Sequence, residues 1–233
     1  EHVLQLRGFF LRALELAPGL AEAHASRGLA VSLSGRFEEA DRHFEMAMRL
    51  DPKSFEAAYF YARSCVAQGK NEDAAKWYER AIAVRPDDYA SLALLATVYT
   101  SLGETDKSIQ MSRRAYDTAR KHLELTPDDP RALYMGAMSL TTLGESEKAR
   151  DWNRRALAMD PEDPSVLYNI ACAFALEGQP EEAINVLIKA VDYGFGHWSW
   201  IEHDGDLDSL RELPRFAELL ARKPADIETT IES

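Results

Sequence analysis

The sequence predicts an all-α protein built from repeated helix pairs, because two kinds of helix-ending residue recur at one spacing. Glycines suited to a tight turn stand at Gly35, Gly69, Gly103, Gly144 and Gly178. Prolines that stop a helix stand at Pro18, Pro52, Pro86, Pro127 and Pro161. The glycine and proline series share the same sequence of gaps, which are equal except for one longer gap before the fourth member. One glycine turn and one proline stop in each unit indicate two antiparallel helices, so the units should stack as an α-solenoid.

The predicted elements follow from this spacing in chain order. Residues 1–20 should hold the second helix of a truncated repeat. Five repeats then follow, over 21–54, 55–88, 89–129, 130–163 and 164–193. Because the chain begins at Glu1 in the middle of a helix, we expect it to be a fragment of a longer protein. The apolar face of that first helix lacks its partner, and we expect it to contact another copy of the chain or an upstream domain.

The third repeat is seven residues longer than the others. Ala115 still follows Ala81 at the ordinary repeat spacing, whereas Pro127 follows Pro86 at the longer one, so the insertion lies within the second helix. Seven residues turn a helix through about 700°, close to two complete turns, and lengthen it by roughly 10 Å. We therefore expect an extended second helix that leaves the stacking register unchanged.

Equivalent positions in successive repeats show how the units should pack. Two sets are uniformly small: Gly28, Ala62, Ala96, Ala137 and Ala171, and Ala40, Ala74, Ser108, Ala149 and Ala183. Small side chains let paired helices approach each other closely. One such unit is shorter than the roughly 40 residues that a chain needs to fold alone. Each repeat should therefore be stable only against its neighbours.

This pattern of small, aromatic, alanine and proline positions at a constant spacing resembles tetratricopeptide repeats (TPRs) over residues 21–193. The resemblance implies a right-handed superhelix that acts as a non-catalytic protein–protein interaction scaffold. Ser108 and Ser112 stand where the family has alanine and an aromatic residue, and Asn153 replaces another aromatic residue. Repeats three and four should therefore pack less tightly.

From Tyr193 onward the period is lost, and we expect a helical cap over 194–222 followed by a flexible tail over 223–233. The cap is similar to the C-terminal closure of bacterial multidomain TPR proteins, with matches at Trp200, Asp204, Asp206, Leu207, Leu210, Arg211, Pro214, Arg215 and Phe216. We expect it to cover the exposed face of repeat five. The similarity leaves a second interpretation open, a regulatory or sensory region of a larger bacterial signalling protein with a kinase, nucleotide cyclase or winged-helix domain.

Composition and charge restrict the partners. The net charge of -12 and the isoelectric point near 5.0 argue against binding to nucleic acid or to an anionic membrane, since both need clustered Lys and Arg. No apolar run approaches the roughly 18 residues of a membrane span, and no signal peptide is visible. Cys65 and Cys172 lie in different repeats and outside any close Cys/His cluster, so we interpret them as packed thiols. These features favour a reducing, cytoplasmic location.

No motif for catalysis or cofactor binding is present. The sequence lacks a nucleophile elbow, a P-loop, a dinucleotide fingerprint and a zinc-protease helix, so we expect no enzyme activity and no cofactor. A metal site could be suggested by His197, His203, Asp204, Asp206 and Asp208. The aspartates lack the glycine and the final glutamate of a calcium loop. We interpret Asp206 as the cap of a short helix and expect no bound metal.

In TPR proteins the first helices of the repeats line a concave groove, and the resemblance makes this groove the candidate peptide-binding surface. Its candidate residues are Tyr59, Phe60, Arg63, Leu94, Tyr134, Met135, Met138, Tyr168, Asn169 and Cys172.

The chemistry of these residues favours a peptide with apolar anchors. Chaperone-binding members of the family carry a polar carboxylate clamp at the positions of Phe60, Leu94, Met135 and Met138, so an acidic C-terminus is not expected as the ligand. Asn169 could hold the backbone of a bound peptide and Arg63 a carboxylate. The alternative is that the curvature of the superhelix, or a missing N-terminal part, buries these side chains.

Overall fold

The computed structural model describes residues 19–224 of the chain. Over that range it contains α-helices, one 3-10 helix and no strand, which confirms the all-α fold class. The predicted helix within residues 1–20 and its proposed self-association lie outside the described residues, apart from Gly19 and Leu20. The predicted tail lies outside them from residue 225 onward.

Five consecutive helix pairs form the body of the chain. They are α1 (Ala21–Ser32) with α2 (Phe37–Leu50), α3 (Phe55–Ala67) with α4 (Asn71–Val84), α5 (Tyr89–Ser101) with α6 (Thr105–Leu125), α7 (Pro130–Thr142) with α8 (Ser146–Met159), and α9 (Pro164–Leu176) with α10 (Pro180–Asp192). The two helices of each pair contact each other, and α1 contacts α3, α5 contacts α7, and α7 contacts α9. Most neighbouring first helices therefore lie side by side, whereas repeats two and three are joined by the contact between α4 and α5.

The turn within each pair depends on glycine. Gly35, Gly69, Gly103, Gly144 and Gly178 all have positive φ, between 69° and 76°. A side chain with a Cβ atom is disfavoured in this left-handed conformation, whereas glycine adopts it freely. The glycines therefore recur in the sequence at the positions where the turns need a positive φ.

The first helices of repeats two to five begin with a side-chain cap. Ser54, Asp88, Asp129 and Asp163 each accept a hydrogen bond from a backbone N–H three residues later, at distances of 2.7 to 3.2 Å. Pro130 and Pro164 occupy the first helical position, where the missing N–H removes no hydrogen bond. The pairs Asp129-Pro130 and Asp163-Pro164 thus combine a side-chain cap with a residue suited to the first helical position.

The small positions lie where the helices cross. Ala62, Ala137 and Ala171 are fully buried, as are Ala40, Ala74, Ala149 and Ala183. A Cβ atom added at Gly28 would lie 2.7 Å from a ring carbon of Phe44, which is itself fully buried. The aromatic ring of α2 therefore packs directly against the backbone of α1, and only glycine leaves room for it.

The second helix of repeat three, α6, is 21 residues long, whereas the other second helices have 13 or 14 residues. Its buried residues, Ser108, Ser112, Ala115, Ala119 and Leu123, follow one face of the helix. Leu125 at its end is 88% exposed. The face therefore stays in register with the stack while the helix projects beyond it.

The C-terminal segment consists of α11 (Trp198–His203), the 3-10 helix (Gly205–Leu210) and α12 (Pro214–Leu220). The 3-10 helix contacts α9 and α10, and α12 contacts α10, so both cover repeat five. However, α11 contacts α3 of repeat two. The segment thus reaches across the inner side of the superhelix, beyond the expected capping of the last repeat.

Candidate functional site

The inner side of the superhelix encloses a cavity of about 410 Å³. Residues of α3, α5, α7 and α9 form one wall, and residues 195–206 of the C-terminal segment form the opposite wall. Of the ten groove residues suggested by the sequence, nine line this cavity. Phe60 does not; its half-buried ring lies edge-to-face with Tyr59 and packs against the core.

Half of the ten candidate groove residues are buried in the wall of the cavity and have little exposed surface. Tyr59, Tyr134, Met135, Tyr168 and Cys172 are each between 3% and 8% exposed. The expectation that they present free anchors to a peptide therefore needs correction. The physical reason is that the superhelix curves tightly and its own C-terminal segment folds over the first helices. Arg63, Leu94, Met138 and Asn169 are half-buried and keep surface towards the cavity.

Two of the tyrosine hydroxyls already have internal partners. The Arg131 guanidinium donates a hydrogen bond of 2.8 Å to the Tyr59 hydroxyl, which links repeat four to repeat two. The Tyr168 hydroxyl donates one of 2.5 Å to Asp204 Oδ2. These bonds fix the rings in the cavity wall and leave each hydroxyl less available to a ligand.

Arg63 is a cation of the cavity wall that has no anionic partner among residues 19–224. Its guanidinium carbon lies 4.5 Å from the ring centre of Trp200 and 5.8 Å from that of Tyr59. Its Nε atom is buried and has no hydrogen-bond partner there. Stacking between two aromatic rings stabilises the cation, but the Nε–H group remains to be satisfied.

Aromatic rings connect the C-terminal segment to repeat five. Phe195 stacks on Tyr168 with 4.2 Å between ring centres, and His197 stacks on Trp200 at 4.9 Å. Burial, together with the nearby Arg63 charge, lowers the pKa of His197 to about 4. His197 is therefore neutral at pH 7, as an imidazole packed inside an aromatic cluster must be.

The sequence-based metal set does not come together as suggested. Asp208 pairs with Arg211 at 2.7 Å, and His203 Nδ1 lies 2.7 Å from the Ser199 carbonyl oxygen. The cap of the 3-10 helix is Asp204, whose Oδ1 accepts a hydrogen bond from the Asp206 N–H at 3.0 Å. The expectation that Asp206 is the cap was therefore wrong by two residues.

A different group of possible metal ligands forms in the folded chain. The ligand atoms of Cys172, Asp204 and Asp206 lie within 4.8 Å of one another. Burial raises the pKa of the Cys172 thiol and of the Asp206 carboxyl well above their ordinary values, and burial also raises that of Asp204. The raised pKa values favour the neutral, protonated forms of these three groups, since protonation removes the charge that burial penalises. The groups can therefore lie close together without a metal ion.

Comparison with known proteins decides the family. Three stretches of the chain match models described as tetratricopeptide repeat, over residues 33–96, 109–164 and 164–193. Together they span more than half of the chain. The chain belongs to the tetratricopeptide repeat family. The TPR array has the architecture of a protein–protein interaction scaffold.

Individual TPR proteins are similar to parts of this chain. A segment of 116 residues is 26% identical to the tetratricopeptide repeat-containing protein trd-1 of Caenorhabditis elegans, covering 49% of this chain and 15% of that protein. A segment of 71 residues is 34% identical to the human tetratricopeptide repeat protein 6, covering 30% of this chain and 14% of that protein. The matches thus span only a small part of either relative.

A solved structure shares the fold over most of the chain. It is that of a thermophilic TPR protein of Thermus thermophilus, with a TM-score of 0.58 and 21% identity, covering 86% of this chain and 99% of that chain.

Of the helices within residues 19–224, none has the length and apolar character that crossing a membrane requires.

Sequence reasoning missed several residues of the TPR cavity. Arg131, Phe195, His197 and Trp200 all line it, and the last three lie in the C-terminal segment, outside the repeats. Arg131 lies on a first helix and could have been found from its position in the repeat. The contact between Arg63 and Trp200 joins residues far apart in the chain, and no local pattern signals it.

Proposed function

We propose that this TPR chain is a non-catalytic scaffold that binds an extended segment of a partner protein in the cavity on the inner side of the superhelix. The observation that carries the proposal is the cavity itself, about 410 Å³ in volume, with apolar and polar side chains in its walls and a buried Arg63 Nε–H that lacks an acceptor among residues 19–224. Concave sites that combine apolar surface with fixed polar groups are typical binding sites for a ligand. Nucleic acid and anionic membranes remain disfavoured as partners by the net charge of -12.

The surfaces that remain accessible define the expected contacts. Leu94 and Met138 would pack against apolar side chains of the partner, and the flexible thioether of Met138 adapts to irregular shapes. The Nδ2 of Asn169 already donates to the Ser165 carbonyl oxygen at 2.7 Å, which fixes the amide in place. A fixed amide can hold a peptide backbone with little further loss of entropy.

Arg63 would supply the polar anchor of the complex. A carboxylate side chain of the partner would satisfy the buried Nε–H, which has no acceptor among the described residues. Hydrogen bonds between a guanidinium and a carboxylate are stronger than those between neutral groups. The expected ligand is therefore an apolar segment that carries one acidic residue.

The test uses peptides selected against the intact chain from a random peptide display library. Binding of the selected peptides should fall at least about tenfold in Leu94→Glu with Met138→Glu, because two buried charges disfavour an apolar ligand. The matched control is Leu125→Glu, at a residue that is 88% exposed at the end of α6. Circular dichroism would show that each variant keeps its helices. Equal binding to the groove variant and to the control would reject the cavity as the site.

The regulatory interpretation has one observation in its favour. The inner side of the superhelix already holds a segment of the same polypeptide, because Trp200 lies against Arg63 of repeat two. A groove that accommodates its own chain can equally accommodate a domain of the same protein. Under this interpretation, a peptide selected for the cavity should change the activity of the full-length protein. If the peptide leaves that activity unchanged, the result would argue for a free-standing scaffold.

A further inference from the structure

The five second helices differ at the position where TPRs carry a large residue facing the first helices. Phe44 and Tyr78 fill it in repeats one and two, and Leu187 fills it in repeat five, and all three are at most 1% exposed. Repeats three and four have Ser112 and Asn153 at this position. Asn153 is only 8% exposed, so a small polar side chain occupies a place that is otherwise apolar and full.

A pocket of about 590 Å³ opens beside Asn153. It lies between α8 and the pair formed by α9 and α10, and its apolar lining includes Leu157, Ile170 and Phe174. It is separate from the inner cavity. On α9, Tyr168 and Cys172 face the inner cavity, whereas Ile170 and Phe174 face this pocket. A shift of two residues turns a helix through about 200°, so the two cavities lie on opposite faces of α9.

The pocket contains two polar groups that lack partners. The side-chain amide of Asn153 makes no hydrogen bond to any residue in 19–224, and its atoms keep some contact with solvent. The Oε1 atom of Glu177 is buried without a hydrogen-bond partner within the same residues. Its Oε2 atom accepts from Arg150 at 3.0 Å and from Gln179 at 3.3 Å, which fixes the carboxylate. Buried polar groups are almost always hydrogen-bonded, so Glu177 Oε1 indicates a missing donor.

The chemistry of this partner follows from the lining. The apolar walls suit a flat ring, as at Tyr78 in repeat two. The amide of Asn153 can donate and accept, and Glu177 Oε1 can accept. A phenol hydroxyl both donates and accepts, whereas an indole only donates and a phenyl ring does neither. We propose that this pocket binds a tyrosine side chain of a partner polypeptide, whose ring fills the space beside Asn153 and whose hydroxyl bonds to Asn153 or Glu177.

This site extends the proposed function, because it gives the scaffold a second contact outside the inner cavity. Its ligand differs from that of the cavity, which we expect to be an apolar segment with a carboxylate. A partner could therefore reach one site without the other. Experiments on the two sites can fail independently.

The test titrates the intact chain with N-acetyl-tyrosinamide and follows side-chain amide and methyl signals by NMR. We expect saturable shifts of the Asn153 amide and of the Leu157 and Ile170 methyl groups. N-acetyl-phenylalaninamide should bind about fivefold or more weakly, because it leaves the buried Glu177 Oε1 without a donor. N-acetyl-tryptophanamide should fall between the two.

Variants separate the pocket from the rest of the protein. Asn153→Tyr should fill the space beside residue 153 and abolish the shifts. Asn153→Phe, which copies Phe44 of repeat one, repeats the test if the first variant loses its circular dichroism signal. Ser112→Tyr makes the same change at the equivalent position of repeat three and should leave binding unchanged. The groove variant Leu94→Glu with Met138→Glu should also bind the probe normally.

Four results would overturn the proposal. They are an absence of shifts at millimolar probe, shifts that map to Leu94 and Met138, equal affinity for the tyrosine and phenylalanine probes, and binding that survives in folded Asn153→Tyr or Asn153→Phe.

Discussion

Replacing Gly28 by alanine should destabilise the first repeat, although the same change stabilises most helices. An alanine in place of glycine gains about 1 kcal/mol of helix stability. Here the new Cβ atom would lie 2.7, 2.8 and 3.0 Å from three ring carbons of Phe44. The ring is fully buried and also stacks on Tyr61 with 5.0 Å between centres, so it has no free space to enter.

The size of the effect follows from these two opposing contributions. Overpacking of a filled core costs about 1–3 kcal/mol, and three short contacts place Gly28→Ala near the upper end. After subtraction of the helix gain, we expect a net loss of about 2 kcal/mol in the free energy of unfolding. Urea unfolding followed by circular dichroism measures it, together with hydrogen exchange of α1 and α2, because the ends of repeat arrays can unfold separately.

A double-mutant cycle shows whether the clash is the cause. In a Phe44→Leu background the ring is absent, so Gly28→Ala should recover the helix gain and stabilise the chain by about 1 kcal/mol. The interaction between the two substitutions should then amount to about 3 kcal/mol. The clash is not the cause if Gly28→Ala stabilises the chain that retains Phe44, or if the effects of the two substitutions simply add.

Two further predictions concern single polar residues. Burial lowers the pKa of His197 to about 4 in the folded chain, whereas in the unfolded chain the pKa has its ordinary value near 6.5. Between these two values the unfolded chain binds a proton that the folded chain does not, so acid favours unfolding. The free energy of unfolding should therefore fall by about 2 kcal/mol between pH 7 and pH 5. His197→Gln should remove this part of the pH dependence in urea unfolding, and an unchanged slope would contradict the assignment. Asp129 accepts hydrogen bonds from the Ala132 N–H and the Tyr89 hydroxyl and contacts His122 at 2.8 Å, so Asp129→Ala should lower the free energy of unfolding by about 2–3 kcal/mol. The exposed neighbour Asp128 provides the control, since Asp128→Ala should change the free energy of unfolding by less than about 0.5 kcal/mol. Similar losses in both variants would show that the hydrogen bonds of Asp129 do not contribute to stability.

The helix pairs could be predicted from the sequence because their signals are local. The five turn glycines report a positive φ, and Asp129 and Asp163 report helix caps; both depend on a few neighbouring atoms. A seven-residue insertion likewise changes helix length without changing its face, as α6 shows. Local backbone chemistry therefore carries most of the information about the fold.

The shape of the site could not be predicted in the same way. The small rotation between neighbouring repeats accumulates along the stack, and it decides whether repeat four comes near repeat two. The hydrogen bond from Arg131 to Tyr59 and the stacking of Trp200 on Arg63 are consequences of that accumulated rotation. The same curvature buries Met135 and Tyr134, whose positions in the repeat suggested exposed anchors.

The pocket beside Asn153 also has a local cause, which is the position of the neighbouring aromatic residue, Trp152, in α8. Trp152 packs on Gly136 so closely that a Cβ atom at Gly136 would lie 2.2 Å from its ring. In repeat two, the equivalent Trp77 stacks on Tyr61 at 4.6 Å, and Tyr78 fills the neighbouring position. Repeat four thus keeps the first aromatic ring and loses the second. Because successive residues of a helix point about 100° apart, Trp152 cannot fill the space beside Asn153, and the lost volume remains open to a ring from another protein.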